Sequence, residues 1–191
     1  MAIKLDMSKA YDRVEWVFLE RVMRRMGFDR RWIHLTMTCV RTTSYSVLLN
    51  GEPTSFIKPS KGIRQGDPLS PNLFLLCVEG LSALLQQAKR DRRITGVSIC
   101  QGGPRISHLL FVDDSLLFYE ANTEECTRLL EMLTTYERAS GQVVNRDKTT
   151  LFFSKSTPET RRDGILQLWG VQGTTNFEKY LGLLALVGKS K

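Results

Sequence analysis

Apolar positions along this chain change period repeatedly, and each change marks an element. Residues 2–6 (AIKLD) read as the end of a short strand. Ser8 then offers an N-cap for a helix to about Met26, with Val14, Phe18, Val22 and Met26 on one face and Gly27 as its stop. A second amphipathic helix follows Asp29 and carries Trp32, Ile33, Met37 and Val40. In YSVLLNGEPTSFI, Asn50-Gly51 between β-rich runs predicts a tight hairpin. Residues 59–69 (PSKGIRQGDPL) form a loop. Ser70 as N-cap and Pro71 at the first helical position then open a mostly apolar, buried helix, NLFLLCVEGLSALLQQA. Beyond a basic linker, residues 106–120 (ISHLLFVDDSLLFYE) predict two strands hinged at Asp113-Asp114. A helix over 123–139 follows, with Leu129, Leu130, Leu133 and Tyr136 at helical spacing. After it come a loop (SGQVVNRDK), a strand (TTLFFS), a polar helix and a last apolar stretch, KYLGLLALV. The order predicts an α+β fold, with helices packed on one face of a small antiparallel sheet.

Composition narrows this little. The 191 residues suit one domain, and 42% hydrophobic with 9% aromatic residues is enough for a core and excludes disorder. No repeat, low-complexity tract or dividing linker interrupts the chain. Lysine and arginine outnumber acids 27 to 20, for a net charge of +7. The surplus clusters at Arg21, Arg24, Arg25, Arg30 and Arg31, and again at Lys89, Arg90, Arg92 and Arg93. Such clusters fit either a polyanionic partner or plain solvated helix faces. Cys39, Cys77, Cys100 and Cys126 are scattered without a C-x-x-C pair, and neither histidine lies near them. This argues against a disulfide framework or a zinc site and for a reducing compartment. No apolar run reaches the ~18 residues of a membrane span and no signal-like h-region opens the chain, so a soluble, intracellular protein is expected.

Asp113 and Asp114 carry the candidate chemistry. Their flanks, Leu109 to Val112 and Leu116 to Phe118, are apolar, so the hairpin belongs in a core while its tip bears two adjacent negative charges. That repulsion needs solvent or a cation to offset it. Taken alone the pair also reads as an exposed turn, and Asp6 as a helix cap. Taken together, Asp6 at a strand end, the Gly/Pro-rich loop before a buried helix and the Asp-Asp hairpin fit nucleotidyl transfer. That chemistry needs hard oxygen ligands for Mg²⁺ and can use two ions roughly 3.5–4 Å apart.

These segments resemble the reverse transcriptase domain of LINE-type, non-LTR retrotransposons, especially the plant-like ones. LDMSKAYDRVEW is similar to the family's first palm motif, GIRQGDPLSPNLF to the next and FVDDSLLF to the F/Y-x-D-D box. SGQVVNRDKT and KYLGL resemble the two that follow, in the same order. The resemblance implies an RRM-like polymerase palm with a small antiparallel sheet backed by helices. It further implies a right-hand polymerase fragment, residues 1–191, lacking most of the fingers and the thumb. It assigns metal binding to Asp6, the main-chain carbonyl of Met7, Asp113 and Asp114, with two Mg²⁺ as cofactors and Mn²⁺ as an alternative. Tyr11 matches the steric gate beneath the incoming sugar, against a plain core aromatic. Gln65 and Gly66 match the pair lying against nucleotide and template. Lys148 matches the basic residue facing the leaving pyrophosphate, against a solvated loop lysine. KYLGL (179–183) matches the primer grip. The implied partners are an RNA template, a DNA primer and dNTPs, with no membrane, and the family implies the nucleus.

Two positions depart from the pattern. Val112 stands where the LINE family commonly has alanine, and Leu184 replaces a proline common after YLGL. The expected reaction is RNA-directed DNA synthesis, with little activity from these residues alone. The rival is a non-catalytic, nucleic-acid-binding remnant of a decayed element. A hydrolase reading rests on Asp113-Asp114 alone.

Overall fold

In the computed structural model, residues 1–98, 102–111, 114–171 and 173–174 are described. The first strand, β1 (Ala2–Leu5), lies at the centre of a five-stranded sheet. It pairs antiparallel with β7 (Asp114–Phe118), Leu5 opposite Ser115, and with β8 (Thr150–Phe152), Ile3 opposite Leu151. Outside β7 runs β6 (His108–Phe111), antiparallel; outside β8 runs β9 (Gly173–Thr174), parallel. The expected antiparallel sheet therefore gains one parallel edge strand. Its pairing begins four residues after α5 (Glu159–Trp169), a return that needs a helical crossover rather than a hairpin.

Ile3, Leu5, Leu117 and Leu151 turn inward together, as period-2 alternation requires. Against them pack Leu81 and Leu85 of α3 (Ser70–Arg90), Leu129, Leu133 and Tyr136 of α4 (Thr123–Ser140), and Ile165 and Trp169 of α5. A second cluster joins α1 (Trp16–Arg25), α2 (Arg30–Arg41) and the first half of α3, through Leu19, Met23, Ile33, Met37, Leu73, Phe74 and Cys77. At 21 residues and 1.5 Å per residue, α3 spans roughly 30 Å and passes through both clusters. The Tyr136 hydroxyl donates to the Cys77 carbonyl at 3.2 Å, tying α4 to its middle. Two two-stranded ribbons complete the fold: β2 (Leu48–Leu49) with β3 (Glu52–Pro53), and β4 (Val97–Ser98) with β5 (Arg105–Ile106). The first turns at Asn50-Gly51, as expected; the second falls partly in the stretch read as a basic linker.

Three local expectations fail. The first helix begins at Trp16, not after Ser8, and buries Leu19 and Met23 while Met26 is exposed. Residues 8–13 are turns because tertiary partners claim the backbone groups a helix would use. The Ala10 carbonyl accepts from the Gln142 side-chain amide, and the Tyr11 carbonyl accepts from the Ile63 N–H. Ser70 is not the cap of α3 but its buried first residue. The cap position is Leu69, with no side-chain cap bond, and the Asp67 carboxylate closes a turn just before it by accepting from the Leu69 N–H at 2.8 Å. Asp114 is not a hinge residue: it already pairs with Phe111 in the ladder.

Candidate active site

Where β1 ends, an open cleft of about 790 Å³ is walled by three stretches far apart in sequence. Asp6, Met7, Ser8, Lys9, Ala10 and Tyr11 come from the β1–α1 connection, Gln65 to Pro68 and Pro71 from the entry to α3, and Asn145 and Lys148 from the loop after α4. Six residues singled out from the sequence, Asp6, Met7, Tyr11, Gln65, Gly66 and Lys148, thus share one cavity.

The walls are aligned by hydrogen bonds across the chain. The Asp6 carbonyl accepts from the Asn145 N–H at 2.8 Å, and the Ser8 N–H donates to the Val143 carbonyl at 2.8 Å. Met7 and Val144 face each other between these bonds as a pair that exchanges none, so their bridge does not consume the Met7 carbonyl. The amide of the fully buried Gln142 donates to the Ala10 carbonyl at 2.8 Å. On the other side Gly62 donates to Val14 at 2.8 Å, Ile63 to Tyr11 at 3.0 Å, and the Trp16 indole to the Gly62 carbonyl at 2.7 Å. These bonds bring the loop containing Gln65 and Gly66 against the turn that presents Tyr11.

Asp6 is half-buried, one position beyond Leu5, which pairs with Ser115. Asp114 begins β7 one position before Ser115, so the backbones of Asp6 and Asp114 lie side by side at one end of the sheet. Asp113 lies outside the described residues, as does KYLGL, and the structure describes only the backbone of Asp114. Among the described residues no group of three acidic, histidine or cysteine side chains is set to hold a metal. What the described part offers a divalent cation is the donor set of hard oxygen ligands: the Asp6 carboxylate and the Met7 carbonyl.

Tyr11 is half-buried, and its ring stacks on Phe74 with centroids 4.8 Å apart and planes 14° from parallel. It packs beside the second cluster and lines the cleft as well. Gln65 is exposed and reaches the Asp12 carboxylate only at 3.5 Å, the long limit of a hydrogen bond. Gly66 has φ +82°, and a Cβ there would meet nothing within 4 Å. Its glycine is required by backbone conformation, and the space before it is open. Lys148 is exposed on a turn whose Lys148 and Thr149 N–H groups both donate to the Asn145 carbonyl.

Lys9, Asp67 and Asn145 also line the cleft and went unnoticed in the sequence. Asn145 has a local signal, since an Asn inside SGQVVNRDK favours turns. Lys9 has none: its φ of +50° is imposed by the turn around it.

An α+β fold with helices on one face of this sheet, and a cleft at the end of its central strand, is that of a polymerase palm. The sequence profile of the family "Reverse transcriptase (RNA-dependent DNA polymerase)" matches residues 1–183, and the chain belongs to that family. It is 50% identical over 68 residues, 36% of its length, to an uncharacterized mitochondrial protein of Arabidopsis thaliana, of which it spans 56%. It is 29% identical over 192 aligned positions to the Pol polyprotein of the type-1 retrotransposable element R2 of Popillia japonica, covering 95% of this chain and 30% of that protein. A 149 kDa protein of transposon TX1 from Xenopus laevis is 26% identical over 148 residues, 78% of this chain and 11% of that one. The chain therefore spans about half or less of the curated relatives it matches. Among solved structures, the telomerase of Candida albicans, in complex with a TWJ fragment of telomeric RNA, superposes with a TM-score of 0.61 at 15% identity. That match covers 82% of this chain and 28% of the telomerase. Apo telomerase of Candida tropicalis gives 0.57 at 18% identity, covering 78% and 29%. At such identities these two speak for the fold alone. No described helix is long and apolar enough to cross a membrane.

Proposed function

We propose that the chain carries the nucleotidyl-transfer site of a reverse transcriptase, adding dNTPs to a DNA primer 3′-hydroxyl on an RNA template. The observation that carries this reading is the cleft itself. Three stretches separated by more than 50 residues each deliver to it the side chains the chemistry calls for.

Reverse transcriptases use divalent metals. Here Asp6, the Met7 carbonyl, Asp113 and Asp114 would hold two Mg²⁺. When bound, the ions supply Lewis-acid stabilisation of the attacking and leaving oxygens. The protein's own contribution is alignment. Nucleotidyl transfer forms a bond from the primer 3′-oxygen to the α-phosphorus and breaks the α–β phosphoanhydride, with attacking and leaving oxygens roughly in line. Tyr11, braced on Phe74, would floor the sugar pocket and leave no room for a 2′-hydroxyl. Gly66, with open space before it, would let base or sugar approach the backbone closely, beside Gln65. Lys148, and Lys9 across the cleft, would neutralise the departing pyrophosphate, with Lys148 placed to give it a proton.

The test pairs a binding measurement with an activity. Mn²⁺ titrated into isotopically labelled protein should broaden amide signals around Asp6, Met7 and Asp114 first. The broadening should be lost in Asp6→Asn and in Asp113→Asn. Primer extension on an RNA template with Mg²⁺ should be slow for these 191 residues by themselves and abolished by the same substitutions. Broadening that ignores both substitutions, or extension that survives them, would overturn the assignment.

A further inference from the structure

At the far end of α3 lies a second hollow, of about 600 Å³, that the polymerase reading leaves unused. Gln86, Lys89 and Arg90 on one face of α3 form one wall, and Arg105, Ser107 and His108 form the other, where β5 leads into the sheet's edge strand β6. Pro71 at the head of the same helix lines the catalytic cleft, so the two sites lie roughly 28 Å apart at 1.5 Å per residue.

Among the described residues, three cations and no carboxylate line this hollow. Cations in a last helical turn are ordinary, because they complement the helix dipole. That accounts for Lys89 and Arg90 but not for Arg105, which a different element brings to the opposite wall. The Lys89 ammonium donates to the Arg105 carbonyl at 2.5 Å, which fixes its position and leaves two of its three donors for a ligand. The Arg90 guanidinium donates to the Gln87 side-chain carbonyl at 3.0 Å and makes no ion pair among the described residues. Arg105 is held by the Thr95 and Gly96 carbonyls, both at 3.2 Å, and paired with Glu120 at 3.0 Å. Glu120 lies outside the hollow, in a neighbouring depression of mixed charge where Arg92, Arg93, Arg128 and Arg161 stand beside Glu120, Glu124 and Glu125. Arg93 pairs there with Glu131 and Arg128 with Glu124, while Arg92 and Arg161 make no ion pair among the described residues.

We propose that this hollow seats a backbone phosphate of a nucleic-acid strand, forming a contact surface separate from the catalytic cleft. The hollow alone would suit any phosphate. Arg92 and Arg161, beyond the hollow and without an ion pair among the described residues, favour a ligand that repeats its phosphates, as a strand does. RNA and DNA share that chemistry.

His108 reports on the hollow. Its Nδ1 faces the Ser107 hydroxyl at 3.0 Å and its Nε2 the Ser82 hydroxyl at 3.2 Å. Burial, and then the nearby Lys89 charge, lower its pKa below the usual histidine value. A phosphate against Lys89 should offset that charge and raise the pKa again. The chain's one other histidine, His34 on α2, serves as an internal control.

The experiment follows the His108 ring signals by NMR across a pH series, with and without a short mixed-sequence RNA, the matching DNA, inorganic phosphate or poly-glutamate. In parallel, RNA affinity is measured against salt for the wild type, for Lys89→Gln/Arg90→Gln, and for Arg21→Gln/Arg25→Gln on α1. A phosphate contact to a single strand contributes a salt slope of about 0.7. The α3 pair should therefore flatten the slope by up to about 0.7 and weaken binding up to roughly 5-fold at 0.1 M salt. The α1 pair, with the same change in net charge, should do much less, and RNA should raise the His108 pKa while leaving the His34 ring signals unmoved at a fixed pH. The same results with Asp6→Asn separate this site from the polymerase reading. DNA acting as RNA does would keep the proposal and broaden the ligand; DNA without effect would restrict it to RNA. Equal losses from both pairs, an unmoved His108, or phosphate or poly-glutamate matching RNA at equal concentration would overturn it.

Discussion

Gln142 should decide whether the cleft holds its shape. It is 1% exposed, and its side-chain amide donates to the Ala10 carbonyl at 2.8 Å, across 132 residues of chain. Ala10 itself is only 8% exposed. Gln142→Leu removes the donor, keeps most of the volume and leaves a buried carbonyl unsatisfied. The lost bond and the orphaned acceptor together should destabilise the fold by about 1–3 kcal/mol. For a chain of this size that corresponds to a melting point lower by roughly 2–12 °C. Gln142→Glu tests the direction of the bond. The shape is kept, but the introduced carboxylate faces an acceptor, so its neutral form is favoured in the folded state and its folded pKa is raised. Stability of that variant should then fall as pH rises from about 4.3, the unfolded value, up to the raised folded value, and stay low above it. Thermal unfolding at acidic and neutral pH measures both variants. Amide exchange at residues 8–12 should quicken in each. If Gln142→Leu unfolds within about 0.5 kcal/mol of the wild type, and Gln142→Glu has the pH profile of the parent, this bond does not hold the turn.

Three further outcomes are expected. Tyr11→Ala should lower stability by about 1–3 kcal/mol, less than for a fully buried aromatic because the ring is half-exposed. It should also relax discrimination against ribonucleotides in primer extension, while Tyr11→Phe preserves both; unchanged discrimination would leave Tyr11 a packing residue. Gly62 has φ +86°, and a Cβ there would sit 2.8 Å from the Asp12 carbonyl oxygen, so Gly62→Ala should cost at least about 1–2 kcal/mol in thermal unfolding. A neutral result would mean that the seam between residues 11–16 and 62–63 is loose. Burial pushes the Cys77 thiol up to about 12 and the Cys126 thiol up to about 11, whereas Cys39 is exposed. A thiol reagent at neutral pH should label Cys39 in the folded protein and reach Cys77 and Cys126 only on unfolding, as read by peptide mass.

What could be read in the sequence was local. The helix over Arg30–Arg41 carries its cap, Asp29, and its apolar stripe within a dozen residues, and the Asn50-Gly51 turn is encoded by two. Tyr11, Gln65 and Lys148 could be picked out only through motif resemblance, since no spacing rule places residues 11, 65 and 148 together. Residues 8–13 misled because their helical pattern is real but their backbone carbonyls are claimed by Ile63 and Gln142, partners that no local window contains. The start of β7 at Asp114 and the parallel edge strand β9 depend likewise on pairing across the sheet.

The central position of β1 has a consequence for how the molecule is made. This strand precedes both of its neighbours in the chain, with Ser115 lying 110 positions after its partner Leu5 and β8 further still. At about 5–20 residues per second, both its edges wait on the order of 5–20 s for the first of those partners to be synthesised. Until then Ile3 and Leu5 have no sheet to enter, and an unpaired apolar strand is a template for pairing with another chain. The wall of the cleft that ends in Asp6 is therefore translated well ahead of the strands that pair with it and is among the last to be secured, which makes nascent-chain aggregation the hazard this topology has to survive.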